Sequence, residues 1–381
     1  VTNAPRVFSI GDPVPWFVGN TSANPQFHFS TIAGSYVVLS FLGSATNEKS
    51  ASANRFACEE LRPAFDDIKC TYFGVSIDPQ DREQQRLLPT HHGIRYFWDF
   101  DQAISKAYGA IMKKGEQSNV VYRPFTLVLD PMLRVIANIP VSDVQTHNQQ
   151  LKAIVMGLPD VSRHAGVDIT APVLVLPNVL EPKLCHELIA LYNQQGGVES
   201  GFMREREGKT IAVMDYSFKR RKDFNFDDAP EYENLRDRLR KCVVQRMLPE
   251  IKKAFSFEAT RIERYIVACY DSETKGFFRP HRDNTTKGTA HRRFACTINL
   301  NAEDFSGGEL RFPEFGQRTY RAPTGGAVVF SCSLLHEATP VTSGTRYAFL
   351  PFLYDEAAAK IREANRSFLS GEVIDKNKPA A

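Results

Sequence analysis

Apolar positions fall into two regimes along the chain. In the first, short runs of β-formers alternate with segments of helical period. Tyr36 to Leu42 reads as a buried strand. Asn54 to Ile68 repeats apolar residues at helical spacing (Phe56, Ala57, Leu61, Ala64, Phe65, Ile68). Tyr72 to Ile77 is a second strand, stopped by Asp78-Pro79. Phe125 to Pro131 and Val135 to Ala137 read as a hairpin, and Leu151 to Leu158 as a closing helix. Strand, helix, strand and hairpin together predict an α/β sandwich.

Residues 159–171 mix Pro, Ser, Gly and Asp and read as a linker. Beyond them, Val173 to Leu176 opens the second regime, followed by amphipathic helices at Glu181–Tyr192 and Asn234–Phe255. From Arg261 onward short strands dominate, at 261–270, 293–300, 309–312, 318–321, 326–331 and 345–353, separated by Gly, Pro and Asn turns. That pattern predicts a jelly roll with supporting helices. Asp355 to Phe368 reads as a terminal helix, and the last dozen residues as loose. The predicted domains are 1–158 and 172–381.

Composition changes this picture little. The chain has 381 residues, enough for two domains. With 47 basic and 44 acidic residues, the net charge of +3 makes no case for a nucleic acid or membrane partner. Seven widely spaced cysteines without Cys-x-x-Cys argue for reduced thiols in the cytoplasm, not for a disulfide framework. No apolar run reaches about 18 residues, the length of a spanning helix, and residues 1–6 lack a signal-peptide pattern.

The chemistry concentrates late in the chain. In a strand, positions two apart share a face, so His281 and Asp283 point together and Arg282 points away. His336 follows the apolar strand Ala327–Phe330. A turn over Thr339–Gly344 then predicts a hairpin that sets His336 beside Arg346. Two histidines and one carboxylate suit ferrous iron with open positions, and also suit zinc. Arg346 tips the balance, because a guanidinium can grip a dicarboxylate that chelates the iron. His291 sits in the polar loop Lys287–Arg292 and reads as a non-ligand.

Several segments match one family in order: Val267-Ala268-Cys269-Tyr270, Gly276, His281-Arg282-Asp283-Asn284, Leu300-Asn301, Gly307-Gly308-Glu309-Leu310-Arg311, and His336-Glu337 followed by Thr345-Arg346-Tyr347-Ala348. Val267 to Asp355 resembles the catalytic core of the prolyl 4-hydroxylases, which are 2-oxoglutarate- and Fe(II)-dependent dioxygenases. It is especially similar to the hypoxia-sensing branch. The resemblance implies a double-stranded β-helix with iron held by His281, Asp283 and His336. It implies 2-oxoglutarate paired with Arg346 and lined by Tyr270, dioxygen as co-substrate, and ascorbate as a candidate reductant. Asn299 stands where the family often has a tyrosine that bonds the cosubstrate; an amide there could still donate. The reaction implied is hydroxylation of a C–H bond in a peptidyl (prolyl among them) or small-molecule substrate, with release of succinate and carbon dioxide.

Residues 204–223 lie where that family keeps a mobile loop over its substrate. Arg221, with Arg220 and Lys222, is a candidate for meeting an acidic substrate, and a solvated charged hairpin is the competing reading. Arg292 and Arg293 flank the site mouth by the same analogy.

The first domain resembles a peroxiredoxin of thioredoxin-like fold, through Gly11-Asp12-Pro13-Val14-Pro15-Trp16-Phe17, the strand to Phe41, and Tyr122-Arg123-Pro124-Phe125. The peroxidatic Pro-x-x-x-Thr-x-x-Cys pattern is replaced by Gly43, Asn47 and Ser50. Peroxidase activity is expected to be absent, because serine offers no thiolate. Cys58 reads as a packing residue. The domain is expected to serve assembly or docking, and pairing of such domains makes a homodimer the expectation by analogy. The competing reading of the whole chain is an oxygen or redox sensor with an iron site and little turnover.

Overall fold

The computed structural model describes residues 7–89, 91–114 and 119–377. The expectations for residues 1–6 and for the chain end at 378–381 lie outside the described residues. Two compact units are present: Val1–Thr170 with Pro313–Gln317, and Ala171–Phe312 with Arg318–Ala381.

The first unit is built on a five-stranded sheet. Its elements are β1 (Tyr36–Gly43), α1 (Glu48–Glu59), β2 (Cys70–Ser76), β3 (Ile94–Trp98), β4 (Phe125–Leu129), β5 (Val135–Pro140) and α2 (Val144–Met156). The strand order is β3-β2-β1-β4-β5, with the first three parallel and β4 and β5 antiparallel. This is the thioredoxin-like sandwich. Ala57 and Leu61, with Leu151 and Val155 of α2, pack on Tyr36, Val38 and Tyr72. Phe73 and Phe97, stacked on each other, with Phe29 edge-on to both, occupy another part of the interior.

Two helix expectations shift. The first helix begins at Glu48, where Asn47 caps the amides of Lys49 and Ser50, and ends at Glu59. Pro63 lacks an amide and disfavours helix at its predecessor, leaving only a 3-10 turn at Arg62–Ala64. Similarly, α2 starts at Val144 behind the cap Asp143, earlier than its apolar period suggested.

The second unit contains β6 (Leu174–Leu176), α3 (Pro182–Gln195), β7 (Val198–Glu199), β8 (Phe202–Arg206), β9 (Lys209–Met214), β10 (Lys219–Arg220), β11 (Lys222–Asn225), α4 (Glu233–Cys242) and α5 (Leu248–Phe255). A π-turn at Val243–Met247 joins α4 to α5, just before Pro249, which has no amide to donate. There follow β12 (Arg261–Glu263), β13 (Ile266–Asp271), β14 (Phe277–His281), β15 (Phe294–Asn299), β16 (Leu310–Arg311), β17 (Thr319–Tyr320), β18 (Ala327–Ser331), β19 (His336–Ala338), β20 (Thr345–Phe349), β21 (Phe352–Tyr354), α6 (Glu356–Ala364) and β22 (Leu369–Asp375).

A large sheet runs β6-β18-β15-β20-β13-β11-β7, with β21 joining β15 to β12. A smaller sheet runs β10-β14-β19-β16-β17. Alternation divides the large sheet's residues between two faces. Cys296, Ile298 and Phe349 join Leu188, Leu239 and Ile251 in the helix-side core. Ala268 and Tyr270 meet Phe278 and Ala338 of the smaller sheet in a second cluster. The candidate site residues lie in this second interior, between the sheets of a jelly roll.

Three local expectations are corrected. The strand foreseen at 261–270 is two strands, broken at Arg264, whose φ is +71°. The tail is not loose through its described part. Leu369–Asp375 pairs in parallel with β9, itself the second arm of the hairpin β8–β9. Finally, His336 and Arg346 do not lie on one hairpin: β19 belongs to the smaller sheet and β20 to the larger. The chain crosses between sheets after Ala338, so the two residues approach the interior from opposite sides.

Candidate active site

His281 is the last residue of β14 and His336 the first of β19, and the two stand directly opposite in register. Their ring centroids are 4.3 Å apart. Asp283 lies past the strand end, so strand parity is not what aims it. Its backbone amide donates to Cys332 O at 3.0 Å, which ties the turn to the end of β18. Asp283 Oδ1 is 3.6 Å from His281 Nε2, and Oδ2 is 3.3 Å from His336 Nε2. One donor atom from each of the three lies within 4.8 Å of the others.

Backbone carbonyls set the tautomers. His281 Nδ1 bonds Arg279 O at 2.8 Å and His336 Nδ1 bonds Leu334 O at 3.0 Å. With the proton on Nδ1, each Nε2 lone pair faces the cluster, as a metal requires. Burial, with His281 alongside, pushes His336 down to about 4, so it is neutral at physiological pH. Burial works against ionising Asp283, but His336, His281 and Arg292 outweigh it and hold the carboxyl well below the usual range. Two imidazoles and one carboxylate are the donor set of a ferrous site with open positions.

Arg346 is buried, and its Nε and Nη1 have no hydrogen-bond partner. Its guanidinium sits 4.8 Å from the centre of the Tyr270 ring. Burial pushes its pKa down, so the fold works against this charge. A buried guanidinium with two free donors fits a carboxylate that accepts both. The residues present therefore fit both iron and a dicarboxylate.

The other expected residues divide. Tyr270 lies in the interior, where its hydroxyl accepts from Arg221 Nη1 at 3.3 Å. Asn299 also faces inward, but its amide nitrogen donates to Ala322 O at 2.7 Å, and the buried Oδ1 is the atom left without a partner. It thus offers the pocket an acceptor, contrary to the expected donor, because the nearby carbonyl has taken its nitrogen. Arg221 is neither on a mobile loop nor on a solvated hairpin. It is buried, with Nη2 donating to Asp223 Oδ2 at 2.6 Å. Arg292 is committed to Glu263 through two bonds, at 3.0 and 2.7 Å, and Arg293 donates to Ala290 O at 2.9 Å. His291 bonds the same Glu263 and stands apart from the metal-type cluster.

Sequence reasoning missed Lys219, Asp223, Glu263 and Arg264. Arg221 and Asp223 are two apart, so parity could have paired them. Nothing in the sequence marked Arg264, because its position depends on the break between β12 and β13.

In the first unit, Ser50 is buried and its hydroxyl has no partner, so no bond reaches it from Arg123. Cys58 Sγ lies 3.3 Å from Tyr96 Oη, and burial pushes its thiol pKa up.

Residues 265–354 match the 2OG-Fe(II) oxygenase superfamily, and residues 10–137 match the AhpC/TSA family. The chain carries a peroxiredoxin-like domain followed by a 2OG-Fe(II) oxygenase domain. It is 31% identical over 93 residues to a PKHD-type hydroxylase of Synechococcus sp., covering 23% of this chain and 41% of the relative. It is 27% identical over 184 residues to a PKHD-type hydroxylase of Acinetobacter baumannii, covering 45% of this chain and 74% of the relative. The chain thus spans about two fifths of the Synechococcus relative. Among solved structures, a Trichoplax adhaerens prolyl hydroxylase in complex with a hypoxia inducible factor peptide fragment is 19% identical, with a TM-score of 0.41, covering 58% of this chain and 97% of that one. A cysteine-to-serine mutant of Xylella fastidiosa PrxQ is 19% identical, with a TM-score of 0.33, covering 40% of this chain and 97% of that one.

Proposed function

We propose that this protein is an Fe(II)- and 2-oxoglutarate-dependent hydroxylase acting on a C–H bond of a peptidyl or small-molecule substrate. The observation that carries the reading is the buried Arg346 guanidinium with two free donors, in the same interior as His281, Asp283 and His336. His281, Asp283 and His336 would hold the iron, and Arg346 the distal carboxylate of 2-oxoglutarate. Bound together, iron, 2-oxoglutarate and dioxygen supply the oxidising power, with succinate and carbon dioxide as co-products.

The protein's own part is positional. Arg279 O and Leu334 O fix the imidazole tautomers. The Arg346 guanidinium lies against the Tyr270 ring, and Phe278 and Val341 add apolar walls to that interior. Burial of Arg346 strengthens its attraction for a carboxylate. The peroxiredoxin-like unit is read as a non-catalytic module for assembly or docking. Among the described residues, no helix is long and apolar enough to cross a membrane.

The test is succinate release from purified protein supplied with Fe(II), oxygen, 2-oxoglutarate, ascorbate and candidate substrates. Release abolished in His281→Ala and in Arg346→Ala supports the reading. Release that persists in both variants would sink it, and metal binding with no turnover would favour a sensor.

A further inference from the structure

The oxygenase unit holds a cluster of three cations around one carboxylate: Lys219, Arg221 and Arg264 around Asp223. Two of the cations are hydrogen-bonded, although the buried Arg221 Nε has no partner. Arg221 bonds Asp223 Oδ2 at 2.6 Å and Tyr270 Oη at 3.3 Å. Lys219 is buried, and its ammonium donates to Ser200 Oγ at 2.7 Å and Gly201 O at 2.6 Å. It also lies 4.8 Å from the Phe278 ring, which stacks on His281 with 3.5 Å between centroids. This cluster therefore borders the metal-type site.

Arg264 is held only by a long ion pair with Asp223. Its nearest carboxylate oxygen, Asp223 Oδ2, is 3.8 Å away, too far for a hydrogen bond. Its φ of +71° is unusual for a side-chain-bearing residue and breaks the strand between Glu263 and Ile266. That break carries its guanidinium over the Phe352 ring, 5.0 Å from the centre. Phe352 pairs with Ala295, whose neighbours Phe294 and Cys296 face the helix-side core, so Phe352 faces the interior between the sheets. The Arg264 side chain remains 25% exposed. Like charges gathered in a low-dielectric interior call for an anion to offset them. The distal carboxylate of 2-oxoglutarate is already assigned to Arg346, so a second anion is implied.

We propose that the substrate carries a carboxylate gripped by Arg264, with Arg221 as a positioning cation fixed by Asp223 and Tyr270. This rests on the hydroxylase reading above. A guanidinium meets a carboxylate through two parallel bonds, which would orient the substrate as well as hold it. Two sources supply that group: a free acid such as an amino acid, or an Asp or Glu side chain in a peptide.

The experiment uses the full chain loaded with Mn(II) and saturating 2-oxoglutarate, which occupies Arg346. Sulfate is titrated in at constant ionic strength while the melting temperature is followed. The expected result is a saturable rise in the wild type, weakened at least tenfold in Arg264→Gln and partly restored in Arg264→Lys. Both variants should keep the rise caused by Mn(II) and 2-oxoglutarate, which shows that they fold. Superimposable sulfate curves for wild type and Arg264→Gln overturn the proposal. No rise from Mn(II) and 2-oxoglutarate in the wild type removes the hydroxylase reading first, so the two failures are distinguishable. The source is then read from succinate release with Fe(II). Stimulation by free amino acids but not their amides, or by end-capped Asp and Glu peptides but not Asn and Gln peptides, supports the carboxylate and names its carrier. Equal stimulation by the amides and the Asn and Gln peptides overturns it.

Discussion

At Arg346 the interior leaves two guanidinium nitrogens without acceptors. An unmet buried polar group costs about 1–3 kcal/mol, and more when charged. A carboxylate ligand recovers that cost, so Arg346→Gln should weaken 2-oxoglutarate binding by roughly 30- to 100-fold, about 2–3 kcal/mol. Metal binding should be unchanged, and calorimetric titration with each ligand checks both halves. Glu263 provides a pH prediction. Burial opposes its charge, but Arg292 and His291 outweigh it and hold the carboxyl well below its ordinary value. A depressed carboxylate contributes stability that is full above its unfolded value near ~4.3 and is lost as pH falls toward its folded value. Glu263→Gln should therefore cost about 3 kcal/mol at pH 7 by leaving Arg292 unpaired. The deficit should shrink below about pH 4, as urea unfolding at the two pH values would reveal.

Between elements, register and close approach decide the site. His281 and His336 meet because β14 and β19 pair at those residues. Gly308, at φ +67°, lets the chain pass Arg346: a Cβ there would lie 2.8 Å from Val341 Cγ2 and 3.1 Å from Arg346 Cδ. Gly308→Ala should thus weaken 2-oxoglutarate binding at least tenfold (~1.4 kcal/mol) while leaving Mn(II) binding within twofold. Equal loss of both would indicate general damage to the fold. The tail strand β22 pairs with β9 along residues that sequence pattern left as loose. Truncation after Phe368 should expose the backbone of β9 and make β8–β9 the first site of protease cleavage, with mass spectrometry locating the cut.

Over the whole molecule, the two units carry different chemical prospects. The peroxiredoxin-like one keeps the sandwich, and Ser50, expected from the sequence to stand where a peroxidatic cysteine would, is buried. Its half-buried Cys58 bonds Tyr96 and has a raised pKa, the reverse of what thiolate attack needs. Peroxide consumption should match a protein-free control and be unaffected by Cys58→Ser; Cys58-dependent turnover would contradict this. The α/β sandwich and the jelly roll were legible because the hydrophobic period changes from mixed to short-stranded near residue 172. The candidate residues His281, Asp283, His336 and Arg346 were legible because two imidazoles, a carboxylate and a guanidinium fall in family-like segments in order. By itself the sequence determined the two fold classes, the candidate donor set and the serine at the position expected for a peroxidatic thiol. Tertiary structure alone decided that His336 and Arg346 approach from different sheets, that Asn299 presents an acceptor, and that Arg221 is hydrogen-bonded to Asp223 while Arg264 has only a long ion pair to it. Those outcomes depend on which strands pair and which buried polar groups find partners, and both are set by contacts between residues far apart in the chain.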